Sequence, residues 1–113
     1  MISARYHYAA ELARGRRVLE IGCGSGLGFG LIARGARSVV GGDPERGLLV
    51  RGRQHYGARF VAAQLRAEAL PFADASFDLV LCLEALYYVR DAERAFDEVV
   101  RVLAPSGVTL FVN

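Results

Sequence analysis

The chain has 113 residues, 53% of them hydrophobic, and a formal net charge of +2, which suits one globular domain, residues 1–113, with a buried core. The apolar fraction is too high for a disordered chain, and no apolar run approaches the roughly 20 residues that span a bilayer. Because residues 1–17 contain no uninterrupted apolar segment, we expect no secretory signal and a cytoplasmic location.

The hydrophobic pattern predicts helices and strands in alternation along the chain. Asp43-Pro44-Glu45 is a strong helix start, with the acid as the N-cap and the proline at the first helical position. In the last helix the predicted buried stripe consists of Phe96, Val99, Val100 and Leu103. The predicted helices span residues 4–14, 27–34, 44–56 and 92–103, and the predicted strands span residues 17–21, 38–42, 59–62, 77–83 and 108–112.

Strands that alternate with helices need crossover connections, so the predicted fold class is α/β with a parallel sheet. In such folds ligands bind beyond the carboxyl ends of the strands. The segment VLEIGCGSGLG, residues 18–28, lies at one of these ends. There a buried strand that carries an acid, Glu20, leads into four glycines within seven positions.

These glycines indicate a place where a ligand lies directly on the backbone, because glycine adopts positive φ and has no side chain to obstruct the approach. The helix that follows presents free N–H groups at its start. A tight turn without a ligand is the alternative, although a turn alone needs only one or two glycines. A dinucleotide site requires G-x-G-x-x-G at the helix start, and the third glycine of that pattern falls on Leu27 or Phe29.

VLEIGCGSG resembles motif I of the class I S-adenosylmethionine-dependent methyltransferases, in which an acid precedes a G-x-G-x-G loop. Three further segments resemble the type 11, small-molecule branch of that family, in the same order: GGDPE, AEALPFADASFDLVLCLEALYYV and RAFDEVVRVLAPSGVTLFV. The resemblance implies a Rossmann-like sheet with strand order 3-2-1-4-5 and helices on both faces. It also implies S-adenosylmethionine as the cofactor and in-line methyl transfer to a small-molecule acceptor.

The resemblance assigns roles to particular residues. Glu20 would hold the glycine loop and face the amino group of the cofactor, and Asp43 would accept hydrogen bonds from both ribose hydroxyls. Leu83 and Glu84 would reach the methionine end. The implied cofactor-binding residues are Glu20, Gly22, Cys23, Gly24, Gly26, Asp43, Ala67, Glu68 and Leu83. Alternatives stay open, since Glu20 also suits a solvated strand end, Asp43 a helix cap and Glu68 an ordinary surface position.

No catalytic triad is visible, and displacement at an activated methyl group needs mainly an aligned nucleophile and exclusion of water. A general base is required only where the acceptor has a proton to lose. The candidates for that role are Tyr6, His7, Tyr87 and Tyr88. Tyr87 and Tyr88 equally suit packing at a strand exit, and His7 equally suits a surface pair with Glu11.

The sequence departs from the family pattern in three places. Arg66 stands where the family commonly has an acid that binds the adenine amino group, and arginine has donors only. Pro105-Ser106-Gly107 replaces Pro-Gly-Gly, and the sequence lacks the C-terminal antiparallel hairpin that covers the fifth strand in the family. With residues 108–112 as an apolar edge, we expect a fragment of a longer enzyme, or a chain that pairs with a second copy or a partner.

Other ligands find less support in the sequence. All 14 basic residues are arginines scattered among acids, which argues against a nucleic-acid surface. Cys23 and Cys82 lie far apart, so we expect neither a disulfide nor a metal site. Two alternatives to the methyltransferase stay open: a non-catalytic binding module or partner subunit, and, less favoured, a nicotinamide-dependent oxidoreductase.

Overall fold

A computed structural model describes residues 4–83 and 89–112. Its strands are β1 (Arg17–Ile21), β2 (Ser38–Asp43), β3 (Ala62–Gln64), β4 (Phe77–Leu83) and β5 (Leu103–Val112). Its α-helices are α1 (Ala4–Ala13), α2 (Phe29–Ala33), α3 (Arg46–Tyr56) and α4 (Ala92–Val102), and a 3₁₀ turn covers Gly57–Arg59. The strands form one parallel sheet in the order β3-β2-β1-β4-β5, which confirms the Rossmann-like order predicted from the resemblance.

Helices cover both faces of this sheet because successive residues of its central strands point to opposite sides. Val18 of β1 packs with Ala9 of α1, and the next residue, Leu19, packs on the opposite side with Val99 of α4. The helices α2 and α3 extend the cover on the α1 side through apolar clusters that share Val39 of β2. None of the helices in the described ranges has the length and apolarity of a membrane span.

Two predicted boundaries on the β2 side were wrong. The third strand forms at Ala62–Gln64 rather than at residues 59–62, because Phe60 is buried against Phe29, at 5.3 Å between ring centroids. The helix α3 begins at Arg46, and its N-cap is Glu45 rather than Asp43.

The orientation of α4 differs from the predicted buried stripe. Its buried residues are Ala95, Val99 and Val102, whereas Phe96 and Val100 are 52% and 55% exposed. The rotation of the helix is fixed by Glu98 and Arg101, which hydrogen-bond to the segment that precedes β4. The spacing of apolar residues along the helix could not predict these polar contacts.

The fifth strand is longer than predicted and contains the expected turn. Phe77 pairs with Leu103 and Leu79 pairs with Val108, so residues 104–107 form an irregularity within β5. The predicted turn at residues 105–107 therefore interrupts the pairing without ending the strand. The described part of the sheet has β3 and β5 as its two edges.

Candidate cofactor site

The glycine loop follows β1 directly and needs glycine for two separate reasons. Gly22, Gly24 and Gly26 have φ of 79°, 56° and 84°, a left-handed conformation that other residues rarely adopt. Gly28 has an ordinary φ of −97°, but a Cβ there would lie 1.9 Å from the ring of Tyr6. The loop therefore combines a left-handed backbone, which glycine adopts readily, with space for an aromatic ring from α1.

Glu20 lies at the carboxyl end of β1 and is 2% exposed. Its Oε2 accepts a hydrogen bond of 2.6 Å from the hydroxyl of Tyr6. Burial raises the pKa of Glu20 to about 7, the Tyr6 hydroxyl opposes that rise, and the charge of Asp43 adds to it. The alternative that Glu20 is a solvated acid at a strand end is therefore wrong. Glu20 is a buried carboxyl group with a pKa near neutral pH.

Asp43 ends β2 and is 1% exposed. One carboxylate oxygen accepts the N–H of Gly24 at 2.9 Å, and the other accepts the N–H of Glu45 at 2.9 Å. These bonds join the glycine loop to the start of the β2–α3 connection. Since an ionised carboxylate has about four acceptor positions, both oxygens keep capacity for further donors.

A cavity of about 320 Å³ lies at the carboxyl ends of β1 and β2, where the neighbours in sequence of the two carboxyl residues, rather than Glu20 and Asp43 themselves, line it. It is lined by Ile21, Gly22, Pro44, Leu65, Arg66, Ala67, Glu68, Val89 and Arg90. Burial alone raises the pKa of Glu68, but backbone N–H donors, including that of Arg90 at 3.1 Å, bring it below the ordinary value. The cavity is therefore lined by one acidic residue with a lowered pKa, two arginines and several apolar residues.

The predicted site residues fall into three groups in the structure. Gly22, Ala67 and Glu68 line the cavity, and Glu20, Cys23, Gly24 and Asp43 lie in or beneath the glycine loop. Gly26 faces the other way, because its carbonyl oxygen accepts the hydroxyl of Tyr56 at 2.7 Å and a Cβ would meet Phe60. Leu83 is buried in the apolar cluster on the α1 side.

The candidate bases are not brought together in the described part of the chain. His7 is exposed on α1 and does not line the cavity. Tyr87, Tyr88 and the neighbouring Glu84 lie outside the described residues, so their roles stay predictions. Tyr6, considered as a base from its type alone, is instead the hydrogen-bond donor to Glu20.

The two cysteines, Cys23 and Cys82, are buried free thiols. Burial, and then the charges of Glu20 and Asp43, raise the pKa of Cys23 to about 12, so this thiol stays protonated at neutral pH. No group of three or more His, Cys, Asp or Glu suited to a metal ion occurs within residues 4–83 and 89–112.

Six contributors to the site were not predicted from the sequence: Gly28, which leaves room for Tyr6, and five residues that line the cavity, Ile21, Pro44, Leu65, Val89 and Arg90. The sequence did contain a signal for Gly28. Glycine inside a predicted helix lowers helix stability by about 1 kcal/mol relative to alanine, so its presence there suggests that a packed neighbour requires it. Arg90 could not be placed, because its position depends on the path of the chain after β4.

The strand order, the glycine loop after β1 and the acid at the end of β2 define a Rossmann-like domain with a cofactor cleft. The profile of a family described as "Methyltransferase domain" matches residues 19–111. The chain therefore belongs to this family, and its fold is that of the class I S-adenosylmethionine-dependent methyltransferases.

Individual relatives agree with this assignment. A probable S-adenosylmethionine-dependent methyltransferase of Mycolicibacterium smegmatis is 38% identical over 108 residues, which cover 93% of this chain and 40% of that protein. A ubiquinone biosynthesis O-methyltransferase of Rhizobium johnstonii is 36% identical over 103 residues, covering 88% of this chain and 42% of the relative. Among solved structures, an S-adenosylmethionine-dependent methyltransferase from Mesorhizobium loti has a TM-score of 0.84 at 28% identity, covering 95% and 50% of the two chains. The chain thus spans less than half the length of these two curated relatives.

Proposed function

We propose that residues 1–113 form the cofactor-binding core of an S-adenosylmethionine-dependent methyltransferase that acts on a small-molecule acceptor. The observation that carries this proposal is the pair of buried carboxyl groups, Glu20 and Asp43, on the two sides of a glycine loop that borders a cavity. The proposal includes a cytoplasmic location, where free thiols such as those of Cys23 and Cys82 are the ordinary state of cysteine.

The residues present fit the chemical groups of the cofactor. Asp43 has unused acceptor capacity for ribose hydroxyls, and Glu20 offers a carboxylate to an ammonium group. Gly22 leaves the backbone open to close approach, and Leu65 and Ala67 provide an apolar wall for a purine ring. Arg66 also lines this wall and brings donors only, so recognition of the adenine amino group would fall to backbone carbonyls or to Glu68.

S-adenosylmethionine, when bound, supplies a methyl group that its positive sulfur has already activated. The residues of this chain would bind and orient the cofactor, keep the glycine loop in its left-handed conformation and exclude water from the cleft. A small acceptor is supported by the relative named a ubiquinone biosynthesis O-methyltransferase and by the scattered placement of the arginines. The acceptor's proton, where it has one, needs a base, for which Tyr87 and Tyr88 remain the candidates.

Calorimetric titration with S-adenosylhomocysteine and, in parallel, with NAD tests the cofactor. We expect micromolar binding of S-adenosylhomocysteine by the chain and at least about tenfold weaker binding by Asp43→Asn, because a charge-assisted hydrogen bond contributes roughly 1.5–3 kcal/mol. Asp97→Asn, a change of an exposed acid on α4, is the matched control and should bind like the parent chain.

Circular dichroism of both variants shows whether the fold is kept, since Asp43 also holds the N–H groups of Gly24 and Glu45. Binding of NAD without binding of S-adenosylhomocysteine would support an oxidoreductase instead. Methyl transfer is also tested with the chain alone and with the remaining segment of a full-length relative added. If the chain binds S-adenosylhomocysteine but no tested acceptor is methylated in either case, the result would support a non-catalytic binding module.

A further inference from the structure

Helix α1 precedes residues 19–111, the part of the chain that matches the family profile, yet it contacts the candidate cofactor site directly. Ala9 and Ala13 are fully buried and anchor this helix against the sheet. Tyr6, one turn before Ala9, reaches over the glycine loop and ends at the carboxyl group of Glu20.

We propose that Tyr6 is a positioning residue of the cofactor site, which holds the carboxylate of Glu20 toward the ammonium group of S-adenosylmethionine and so makes α1 part of that site. This inference rests on the proposed function, because it assumes that Glu20 binds the ammonium end of the cofactor. Tyr6 acts through Glu20 and needs no contact with the cofactor for this role.

The loop is built to receive the Tyr6 side chain. A Cβ at Gly28 would lie 1.9 Å, 2.0 Å and 2.6 Å from three carbon atoms of the Tyr6 ring, so only glycine leaves room for the ring at this position. The ring contact fixes the direction of the side chain, and the hydroxyl then meets Glu20 Oε2 at 2.6 Å. That distance is typical of a short, charge-assisted O–H···O⁻ bond.

The ionised form of Glu20 depends on the Tyr6 hydroxyl, because the other described side chains beside Glu20 do not stabilise its negative charge. The elements beside Glu20 present Gly41 from β2, which has no side chain, and Leu81 from β4, which is apolar. Among residues 4–83 and 89–112, the titratable groups that act on Glu20 are Tyr6 from α1, Asp43 from the end of β2 and, by the mutual charge effect, Cys23 from the loop. Asp43 is a like charge and Cys23 is protonated, so Tyr6 supplies the stabilisation of the ionised form.

The consequence is a specific pH dependence of cofactor binding. The pKa of Glu20 is about 7, because burial and the charge of Asp43 raise it while the Tyr6 hydroxyl limits that rise. An ammonium ligand prefers ionised Glu20, so affinity should rise as the pH increases through this pKa. Removal of the hydroxyl raises the pKa of Glu20, so the same rise should occur at higher pH.

Titration with S-adenosylhomocysteine between pH 6 and pH 9 compares the parent chain with Tyr6→Phe, Tyr8→Phe and Glu20→Gln. We expect Tyr6→Phe to weaken binding roughly threefold to tenfold at pH 7 and to approach the parent affinity at the upper end of the range. Tyr8→Phe is the matched control, since Tyr8 is on the same helix and 58% exposed. Glu20→Gln lacks the ionisable group, so its profile reports only the titration of the ligand's own amino group.

A second measurement needs no ligand: the carboxyl titration of Glu20 followed by NMR in the parent chain and in Tyr6→Phe. A higher midpoint in Tyr6→Phe supports the proposal. An unchanged midpoint, or a Tyr6→Phe binding loss that is equal at every pH, overturns it and assigns Tyr6 a packing role alone. A parent chain that binds no S-adenosylhomocysteine at any pH contradicts the proposed function, whatever the NMR titration shows of the Tyr6–Glu20 bond.

Discussion

At the scale of single residues, Gly28 and Gly47 form a matched pair. Neither has a left-handed φ, so backbone strain does not require glycine at either position. A Cβ at Gly28 would enter the Tyr6 ring, whereas a Cβ at Gly47, in the first turn of α3, would meet nothing within 4 Å. The two positions therefore separate the cost of displacing Tyr6 from the ordinary cost of changing a glycine.

We expect Gly28→Ala to lower the free energy of unfolding by about 1–3 kcal/mol, because an inserted methyl group forces a packed side chain to move. Gly47→Ala should be neutral or should stabilise the chain by up to about 1 kcal/mol, since alanine is the better helix former. Urea unfolding of the two variants, followed by circular dichroism, measures both values. Equal stability of Gly28→Ala and the parent chain would mean that the Tyr6 ring is not seated as described.

The same residues show how much of the site could be predicted from the sequence. Glu20 and Asp43 were singled out through the resemblance to the methyltransferase family, and the structure places both beside the glycine loop. Tyr6 and Gly28 could not be paired, because they are far apart in sequence and meet only when α1 lies across the loop. Arg66 was singled out as a departure from the family pattern, and the structure places it on the cavity wall.

At the scale of elements, the sequence predicted the positions of strands correctly where the buried residues follow a simple pattern along the chain. The central strands β1 and β4 form at the predicted positions, because both faces of each strand are largely buried and most of their residues are apolar. The edge strand β3 was misplaced by three residues at its start, because pairing with β2 and burial of Phe60 decide its position. The face of α4 was misjudged for a similar reason, since Glu98 and Arg101 bind the segment before β4.

This contact between α4 and the segment before β4 is the element-scale feature most open to test. The guanidinium group of Arg101 donates to the carbonyl oxygens of Leu70 and Phe72, both by bonds of 2.8–2.9 Å, and to Asp74. It also holds Glu98, whose Oε1 accepts the N–H of Leu70 at 2.8 Å. One arginine thus orders the segment that connects the cavity wall to β4.

We expect Arg101→Lys to increase the hydrogen-exchange rate of the Leu70 amide about tenfold or more, because lysine lacks the planar fork that binds several acceptors at once. Amides of β1 should exchange at nearly the parent rate, since the change is local. Arg51→Lys, an exposed arginine on α3, serves as the control. An equal acceleration of Leu70 and of the central strands would show a loss of global stability and would contradict the local role.

At the scale of the whole molecule, the sheet has an apolar edge. Strand β5 pairs with β4 on one side only within the described chain, and it is ten residues long. Exposed apolar side chains lie beside it, with Phe96 and Val100 on α4 and Val108 on the strand itself. Phe96 stacks on Phe111 at 6.3 Å between ring centroids, so α4 contributes an exposed aromatic side chain to this edge.

Such an edge pairs readily with another strand, so we expect the 113-residue chain to associate as its concentration rises. Val108→Lys should raise the concentration needed for association roughly tenfold, because a charged side chain on an edge strand opposes pairing. Val50→Lys is the control, since Val50 is 44% exposed on α3, away from this edge. Light scattering over a hundredfold range of concentration measures the mass of each variant. If the parent chain stays monomeric over that range and for days in storage, β5 is a stable edge by itself, and the expected pairing with a second copy or a partner loses its physical basis.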